Sequence, residues 1–395
     1  MYEFLGTISM GVRAPIVRQG NDIAEIAAKS VLKASETSSI PIDDKDVIAI
    51  TESVVARAEG NYVTVDNIAE DIYERFGNAK IGVIFPILSR NRFAMCFKGI
   101  CRGAKNGVVL MLSLPADEVG NHLVSDEEFL RKASTDAVLT EDEYRERFGF
   151  IKHEFTGIDY VEYYKSIAEK EGCSITVIFS NDPLQMLSYT NNVLVCDIHT
   201  RHRTKQLLSG YSANIYGLDD ICIKPHADTA GYNAEYGLLG SNKADEERLK
   251  LFPRTGKEVV ERVQKLIYQM TGKKVEVMVY GDGAFKDPVG KIWELADPVV
   301  SPAFTEGLIG RPNELKLKAL ADGEFVSLSG DELKEAITKS IKAKNESLIG
   351  SMSSQGTTPR QITDLLGSLS DLTSGSGDKG TPIVWIKNYF KNYAD

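Results

Sequence analysis

Five short apolar segments, each ending in a turn or a helical pattern, constrain the fold of this chain most. They are DVIAI (46–50), KIGVIFPI (80–87), GVVLMLSL (107–114), SITVIFS (174–180) and NNVLVCDI (191–198). Apolar runs of this length are typical of strands that are buried on both faces. The last two belong to two strand–helix steps within about forty residues, which is typical of a parallel sheet. The sequence therefore predicts an α/β protein with mixed α+β character.

Length and composition place the chain among globular proteins. It has 395 residues, of which 43% are hydrophobic and 26% are charged, as in ordinary globular chains. These values exclude a disordered, collagen-like or coiled-coil chain, and the length suits two or three domains. The net charge of −10 argues against a nucleic-acid partner, although it leaves room for a local basic pocket.

The cysteines and the absence of sorting signals indicate a compartment. None of the five cysteines has the CxxC spacing of a zinc or redox motif: Cys96, Cys101, Cys173, Cys196 and Cys222. Reduced, buried thiols are the simplest interpretation. The first residues lack a basic segment followed by a long apolar core, and no run of about 18 apolar residues occurs. We therefore expect a cytoplasmic protein that does not enter a membrane.

A segment rich in glycine and aspartate follows the strand pattern at 275–280. In Gly281-Asp-Gly-Ala-Phe-Lys-Asp-Pro288 the glycines would let the backbone approach a ligand closely, and Gly283 is a candidate cofactor contact. Asp282 and Asp287 offer the hard oxygen ligands that Mg²⁺ or Mn²⁺ prefer. The alternative is an Asp-Gly turn whose carboxylates are simply solvated.

A second candidate site lies where the strand pattern at 191–198 passes into a helical pattern. Backbone N–H groups at the start of a helix attract anions. His199, Arg201 and His202 would suit a phosphate or a carboxylate at this position. The alternative is a basic first turn whose cations pair with surface acids. Two histidines without a third nearby ligand are a weak metal site.

Two further polar segments carry weaker signals. Residues 226–243 are polar and contain glycine, like many functional loops, but they lack the GxxxxGK[ST] spacing of a P-loop. The basic segment 90–105 has Phe93 and Phe97 between its cations. It would face a nucleotide or an acidic substrate, or form an exposed hairpin. No GxSxG, HExxH or GxGxxG motif occurs.

Several segments, in their order along the chain, resemble the coenzyme F420-0 γ-glutamyl ligase family. Residues 11–26 and 43–60 are similar to the family's Gly/Pro strand, its Gly-Asp-Asp-Leu-Ala-Glu helix and its Ser-Lys-Ala-Glu-Gly segment. Gly237-Leu-Leu-Gly-Ser-Asn242 resembles the family's Gly-x-Asp-x-Ser-Asn. Residues 256–280 resemble the helix and strand before its Asp-Thr-x-Gly-Arg metal loop, and residues 375–384 resemble its C-terminal glycine loop and last strand.

This resemblance implies the architecture of an intertwined α/β homodimer. The match covers about residues 1–110 and 230–390. We therefore assign residues 1–114 and 230–395 to a ligase-like core and residues 115–229 to an inserted β-α-β segment.

The resemblance also implies a reaction and its residues. The family's enzymes use GTP, with ATP as the alternative here, and Mg²⁺ or Mn²⁺. They add L-glutamate in a γ-glutamyl linkage to a small carboxylate acceptor, such as coenzyme F420-0, through an acyl phosphate. By position, Asp282 matches a metal-binding and catalytic Asp, and Ser241 and Asn242 match the Ser-Asn pair. Ser53 and Arg57 fall where the family has Ser and Lys near the nucleotide, so Arg57 is also a catalytic candidate.

The sequence departs from the family at Leu239, where the family has a metal-binding Asp. Leucine cannot coordinate a cation, so we expect Asp228 or Glu235 to complete a metal site with Asp282 and Asp287. The departure leaves two alternatives open. One is a non-catalytic nucleotide- or metabolite-binding module on the same scaffold, and the other is an unrelated phosphotransfer or hydrolase activity.

Overall fold

Strands and helices alternate along most of the chain. The computed structural model describes residues 4–132, 137–153, 156–211, 214–226, 230–281, 284–286, 293–295, 301–354, 361–373 and 377–395. Its strands are β1 (Ile8–Val12), β2 (Val47–Thr51), β3 (Tyr62–Thr64), β4 (Ile81–Ile84), β5 (Val108–Leu112), β6 (Leu139–Thr140), β7 (Ile175–Phe179), β8 (Asn192–Val195), β9 (Asn214–Gly217), β10 (Asn242–Lys243), β11 (Arg248–Lys250), β12 (Glu276–Tyr280), β13 (Ala284–Lys286), β14 (Trp293–Leu295), β15 (Ala303–Phe304) and β16 (Ile383–Lys387). Its α-helices are α1 (Ile23–Ser38), α2 (Glu52–Glu59), α3 (Val65–Phe76), α4 (Phe93–Gly103), α5 (Asp126–Lys132), α6 (Glu141–Phe148), α7 (Tyr160–Lys170), α8 (Arg201–Ser209), α9 (Gly256–Thr271), α10 (Leu317–Asp322), α11 (Gly330–Ala343) and α12 (Ile362–Thr373). The predicted α/β class is confirmed.

The first sheet has five strands in the order β1-β16-β2-β12-β15. β2 and β12 are parallel, and the other neighbours are antiparallel. Helices α1 and α9 cover one face, where Val31 and Val263 join the apolar cluster. Helix α12 covers the other face with Leu366. β2, β12 and β16 are buried along their whole length, which explains why the sequence shows them as largely apolar runs.

The second sheet has six strands in the order β6-β7-β5-β4-β8-β9, all parallel except β6. Helices α3, α4 and α7 pack on one face, and α8 packs on the other. The sheet combines β4 and β5 from the assigned core with β6 to β9 from the assigned insertion. The division of the chain at residue 114 stays a prediction.

The basic segment 90–105 is not an exposed hairpin, because most of it forms the buried helix α4. Arg102 donates to Glu171 at 2.7 Å and to Glu247 at 2.9 Å. Lys98 donates to Glu247 at 2.5 Å. Two cations of this segment are therefore neutralised by acids from distant parts of the chain.

The helices are short. The longest that the structure describes, α1 and α9, have 16 residues each, whereas a membrane-spanning helix needs about 20 apolar residues. No helix within the described ranges is long and apolar enough to cross a bilayer.

Candidate active site

The carboxyl ends of the parallel strands β2 and β12 meet at one edge of the five-stranded sheet. Thr51 ends β2 and lies opposite Tyr280, which ends β12. The predicted nucleotide contacts Ser53 and Arg57 follow on α2, and Gly281 follows Tyr280. Ligands of α/β proteins bind at the carboxyl ends of parallel strands. This edge, the β2–β12 edge, is therefore the candidate active site.

Lys250 is the central cation of the β2–β12 edge, and the sequence analysis did not single it out. It lies on β11, where it pairs with Asn242 on β10. Its Nζ donates to Ser53 Oγ at 2.5 Å and lies 3.9 Å from Glu52 Oε1. Its side chain is only 12% exposed, so the ammonium is held in place. Lys250 thus lies between Ser53 and Asn242, two of the predicted nucleotide contacts.

Glu52 anchors the start of α2. Its Oε2 accepts hydrogen bonds from the Ser53 N–H at 2.5 Å and from the Thr51 hydroxyl at 3.0 Å. A carboxylate in the first turn of a helix is also favoured by the helix dipole. Glu52 balances the charge of Lys250, whereas Arg57 is exposed and has no ion-pair partner among the described residues. The described part of the edge thus brings two cations, Lys250 and Arg57, beside the carboxylates of Glu52 and Asp371, and the exposed guanidinium of Arg57 suits a phosphate or a carboxylate.

Tyr280 places an unsatisfied polar atom at the same edge. Its side chain is buried, and its hydroxyl has no hydrogen-bond partner in the part of the chain that the structure describes. Burial raises the pKa of this phenol, and the nearby charges of Asp371 and Glu52 raise it further. The phenol therefore stays protonated and can donate a hydrogen bond. A buried donor without a partner fits a site that receives an oxygen-rich ligand.

Of the four predicted metal ligands, the structure describes only Glu235. Four predicted site residues lie outside the described residues: Asp228, Asp282, Gly283 and Asp287. Glu235 is exposed, and its backbone N–H donates to Asn233 Oδ1 at 3.0 Å. Within the described ranges no three His, Cys, Asp or Glu side chains come together as a metal site would require. Metal binding therefore stays a prediction that depends on the turn after β12.

Leu239 and Ser241 pack into the core beside the six-stranded sheet, whereas the side chain of Lys250 contacts Ser53 on α2. Leu239 is 1% exposed and lies in the apolar core beside the six-stranded sheet. Ser241 is 2% exposed, and its Oγ lies 3.5 Å from Cys96 Sγ. Both residues line a small cavity on that side. The Ser-Asn pair is thus divided, because Asn242 lies beside Lys250 while Ser241 packs away from it.

His199 lies in the turn from β8 to α8, and Arg201 is the first residue of α8. The N–H groups of this turn already bind a carboxylate. Glu118 accepts hydrogen bonds from the N–H of Ile198 at 2.5 Å and of His199 at 3.1 Å. Arg201 Nε donates to Asp219 at 3.1 Å. These contacts match the alternative of a basic first turn paired with acids. Ligand binding by His199 and Arg201 stays a prediction.

The five- and six-stranded sheets, with the cations and hydrogen-bond donors of the β2–β12 edge, define an α/β protein suited to an anionic ligand. The family model described as F420-0:Gamma-glutamyl ligase matches residues 11–388. A comparison with curated proteins found no match. Because the family match spans nearly the whole chain, the protein belongs to the F420-0:γ-glutamyl ligase family, as the resemblance predicted. Membership indicates a γ-glutamyl ligase that acts on small molecules.

Proposed function

We propose that this protein uses GTP, or ATP, with Mg²⁺ or Mn²⁺ to join L-glutamate in a γ-glutamyl linkage to a small carboxylate acceptor such as coenzyme F420-0. The observation that carries the proposal is the contact of Lys250 with Ser53 at the β2–β12 edge, in a chain of this ligase family. The proposal includes a homodimer that works in the cytoplasm.

Amide formation needs activation because a carboxylate is a poor electrophile. In the proposed reaction an acceptor carboxylate oxygen attacks the γ-phosphorus of the nucleotide. The nucleoside diphosphate leaves with the electron pair of the broken P–O bond. The amine of L-glutamate then attacks the carbonyl carbon of the acyl phosphate, loses a proton and displaces inorganic phosphate. Both steps bring anions together, so they need fixed positive charge and hydrogen-bond donors at the reacting centre.

Lys250 and Arg57 would supply this positive charge. Lys250 is already oriented by Ser53 and Glu52, so little rearrangement is needed when an anion arrives. Arg57 lies one helical turn after Ser53 and is exposed, and its planar guanidinium can bind two phosphate oxygens at once. Ser53 and Asn242 would donate hydrogen bonds to the same ligand.

A bound divalent metal would neutralise the charge of the triphosphate. The carboxylates that we propose to hold it are Asp282 and Asp287, completed by Asp228 or Glu235. The described part of the β2–β12 edge provides cations and hydrogen-bond donors, together with the carboxylate of Glu52. It therefore fits the phosphates of the nucleotide better than the metal.

A Lys250→Met variant tests the proposal. The assay follows Mn²⁺- and GTP-dependent consumption of L-glutamate with coenzyme F420-0 as acceptor. Methionine keeps the apolar stem and removes the ammonium, so we expect kcat/KM to fall about 10²- to 10³-fold, as for the loss of one transition-state donor. Lys243→Met is the matched control, because Lys243 lies on the neighbouring strand β10 and pairs with Glu246. The control should keep wild-type activity.

Each other outcome has a definite meaning. Full activity of Lys250→Met would refute the role of Lys250. A wild-type protein without nucleotide-dependent ligation would favour a non-catalytic binding module, which the buried Leu239 motivates. Asp282→Ala distinguishes a ligase from a binding module. The variant should abolish turnover in a ligase, whereas it should leave metal-free ligand binding intact in a binding module. Nucleotide hydrolysis that does not depend on L-glutamate would indicate phosphotransfer or hydrolase activity.

A further inference from the structure

A large groove lies at the C-terminal end of the chain. One wall is residues 311–318, a second is the end of α11 with Lys344, and a third is residues 389–393. Its volume is about 710 Å³, which is within the range of small-molecule sites. We call it the C-terminal groove.

The C-terminal groove is strongly cationic, although the chain has a net charge of −10. Five cations line it against the single acid Glu314: Arg311, Lys316, Lys318, Lys344 and Lys391. Within the described ranges, no ion pair involves any of these five cations. Like charges in one concave surface repel each other and concentrate a positive potential. Such a surface favours a ligand with several negative charges.

Aromatic side chains form one side of the same groove. Tyr389 and Phe390 are half-buried and meet edge to face, with ring centroids 5.3 Å apart. Tyr393 is 55% exposed. Exposed aromatic rings beside cations can pack against a flat ring while the cations bind the anionic part of the same molecule.

Hydrogen bonds hold the first wall in place without a ligand. Asn313 Oδ1 accepts from the Leu348 N–H at 2.9 Å, and the Asn313 carbonyl accepts from Lys344 Nζ at 2.5 Å. The Lys316 N–H donates to the Ser353 carbonyl at 2.7 Å. A wall that is fixed in this way loses little conformational entropy when a ligand binds.

The C-terminal groove is separate from the β2–β12 edge. The segment 389–393 follows the end of β16 at Lys387, which contacts Asp46 just before β2 begins. The wall at 311–318 follows a turn in which the Gly307 N–H donates to Glu276, the first residue of β12. Both walls thus leave the sheet where β2 and β12 begin. The candidate active site lies where these strands end, about 13 Å away along the strands.

We propose that the C-terminal groove binds a small polyanion that carries a flat aromatic ring, the chemistry of a phosphorylated nucleoside. The lysine and arginine cations of the groove would neutralise the charge of the ligand, so it needs no metal. Because the groove is a second site, its occupancy does not depend on the reaction proposed for the β2–β12 edge.

Calorimetric titration in EDTA tests this proposal with three probes: GTP, inorganic tripolyphosphate and guanosine. Chelation removes the metal-dependent part of nucleotide binding at the β2–β12 edge, and the Lys250→Met variant reports on any part that needs no metal. GTP should bind more tightly than either partial probe, and salt should weaken its binding. The double variant Lys316→Glu/Lys318→Glu should weaken GTP binding about tenfold or more. Tyr393→Ser should weaken the binding of GTP but not that of tripolyphosphate.

Matched variants make the result decisive. Lys334→Glu/Lys339→Glu changes the net charge by the same amount as Lys316→Glu/Lys318→Glu, but at exposed positions of α11 outside the groove. This control should leave GTP affinity unchanged. Lys250→Met should leave the GTP binding that depends on Lys316 and Lys318 unchanged, and a loss of that binding would assign it to the β2–β12 edge. Three results would overturn the proposal: no GTP binding at millimolar concentration, equal weakening by both charge-reversal doubles, or guanosine binding as tightly as GTP.

Discussion

The buried ion pair of Lys387 and Asp46 allows a quantitative prediction about stability. Both residues are 2% exposed, and Lys387 Nζ lies 2.9 Å from Asp46 Oδ2. The same oxygen accepts from Trp385 Nε1 at 2.8 Å and from the Asp43 N–H at 3.0 Å. Lys387→Met keeps a similar volume but leaves a buried carboxylate without its cation. Removing one partner of such a pair costs about 3–5 kcal/mol of the free energy of unfolding.

The loss should depend on pH in a definite direction. Burial raises the pKa of Asp46, and the hydrogen bonds from Asp43, Lys387 and Trp385 lower it in part. Without Lys387 this pKa rises further in the folded state. A carboxyl whose folded pKa is above its unfolded value loses stability as the pH rises through that interval. The stability difference between wild type and Lys387→Met should therefore be larger at pH 8 than at pH 5.

Urea unfolding at both pH values measures these differences, with the fluorescence of the buried Trp385 as a signal. The double variant Asp46→Asn/Lys387→Met is the control, because it removes the two buried charges and leaves only Asp43, which lies 2.8 Å from Lys387 Nζ in wild type and is 45% exposed. It should be more stable at pH 8 than Lys387→Met alone. A loss below about 1 kcal/mol at pH 8, or an equal loss at both pH values, would refute this account of the pair.

Three further predictions concern other side chains. Leu239→Asp should lower the free energy of unfolding by about 3 kcal/mol or more, because the new carboxylate is buried in an apolar core. A melting curve restored by Mn²⁺ would contradict this. Glu118→Ala should cost about 0.5–1.5 kcal/mol, because the partly buried N–H of Ile198 loses its acceptor while water can replace it at the exposed N–H groups of His199 and Thr200. Sulfate should then raise the melting temperature of that variant more than that of wild type. Burial raises the pKa of Asp117 to about 6, so its contribution to stability should fall as the pH rises from about 4 to 6. Carboxyl NMR titration checks this, and a midpoint near the ordinary value of about 4 would contradict it.

The strands could be predicted because burial on both faces leaves a local signal. β4 and β5 are buried at every position, and their apolar runs are visible without any knowledge of their neighbours. The order of strands has no such signal, since β8 pairs with β4 across more than a hundred residues. The exposed hairpin, one of the two alternatives for the segment 90–105, was wrong for the same reason. Its charges suggest exposure, but Arg102 is paired with Glu171 and Glu247.

The candidate site could be predicted only where it follows a strand directly. Ser53 and Arg57 come directly after β2, at a strand end where function is expected, and the resemblance to the family singled them out; their role stays a prediction. Lys250 lies on a strand of three residues in a charged segment, with no periodic pattern around it. Its contact with Ser53 spans 197 positions of sequence. Only the pairing of β10, β11 and β3 brings it to the edge.

Ser241 and Asn242 face different surroundings, and this difference restricts where the chain could hold a metal. Leu239 and Ser241 line the cavity beside the six-stranded sheet, whereas Asn242 pairs with Lys250 at the β2–β12 edge. A carboxylate at position 239 would therefore enter an apolar core and not reach a nucleotide held by Lys250. Asp282 follows β12 in sequence, and β12 ends opposite the end of β2. We therefore expect the metal dependence of this protein to rest on the turn after β12.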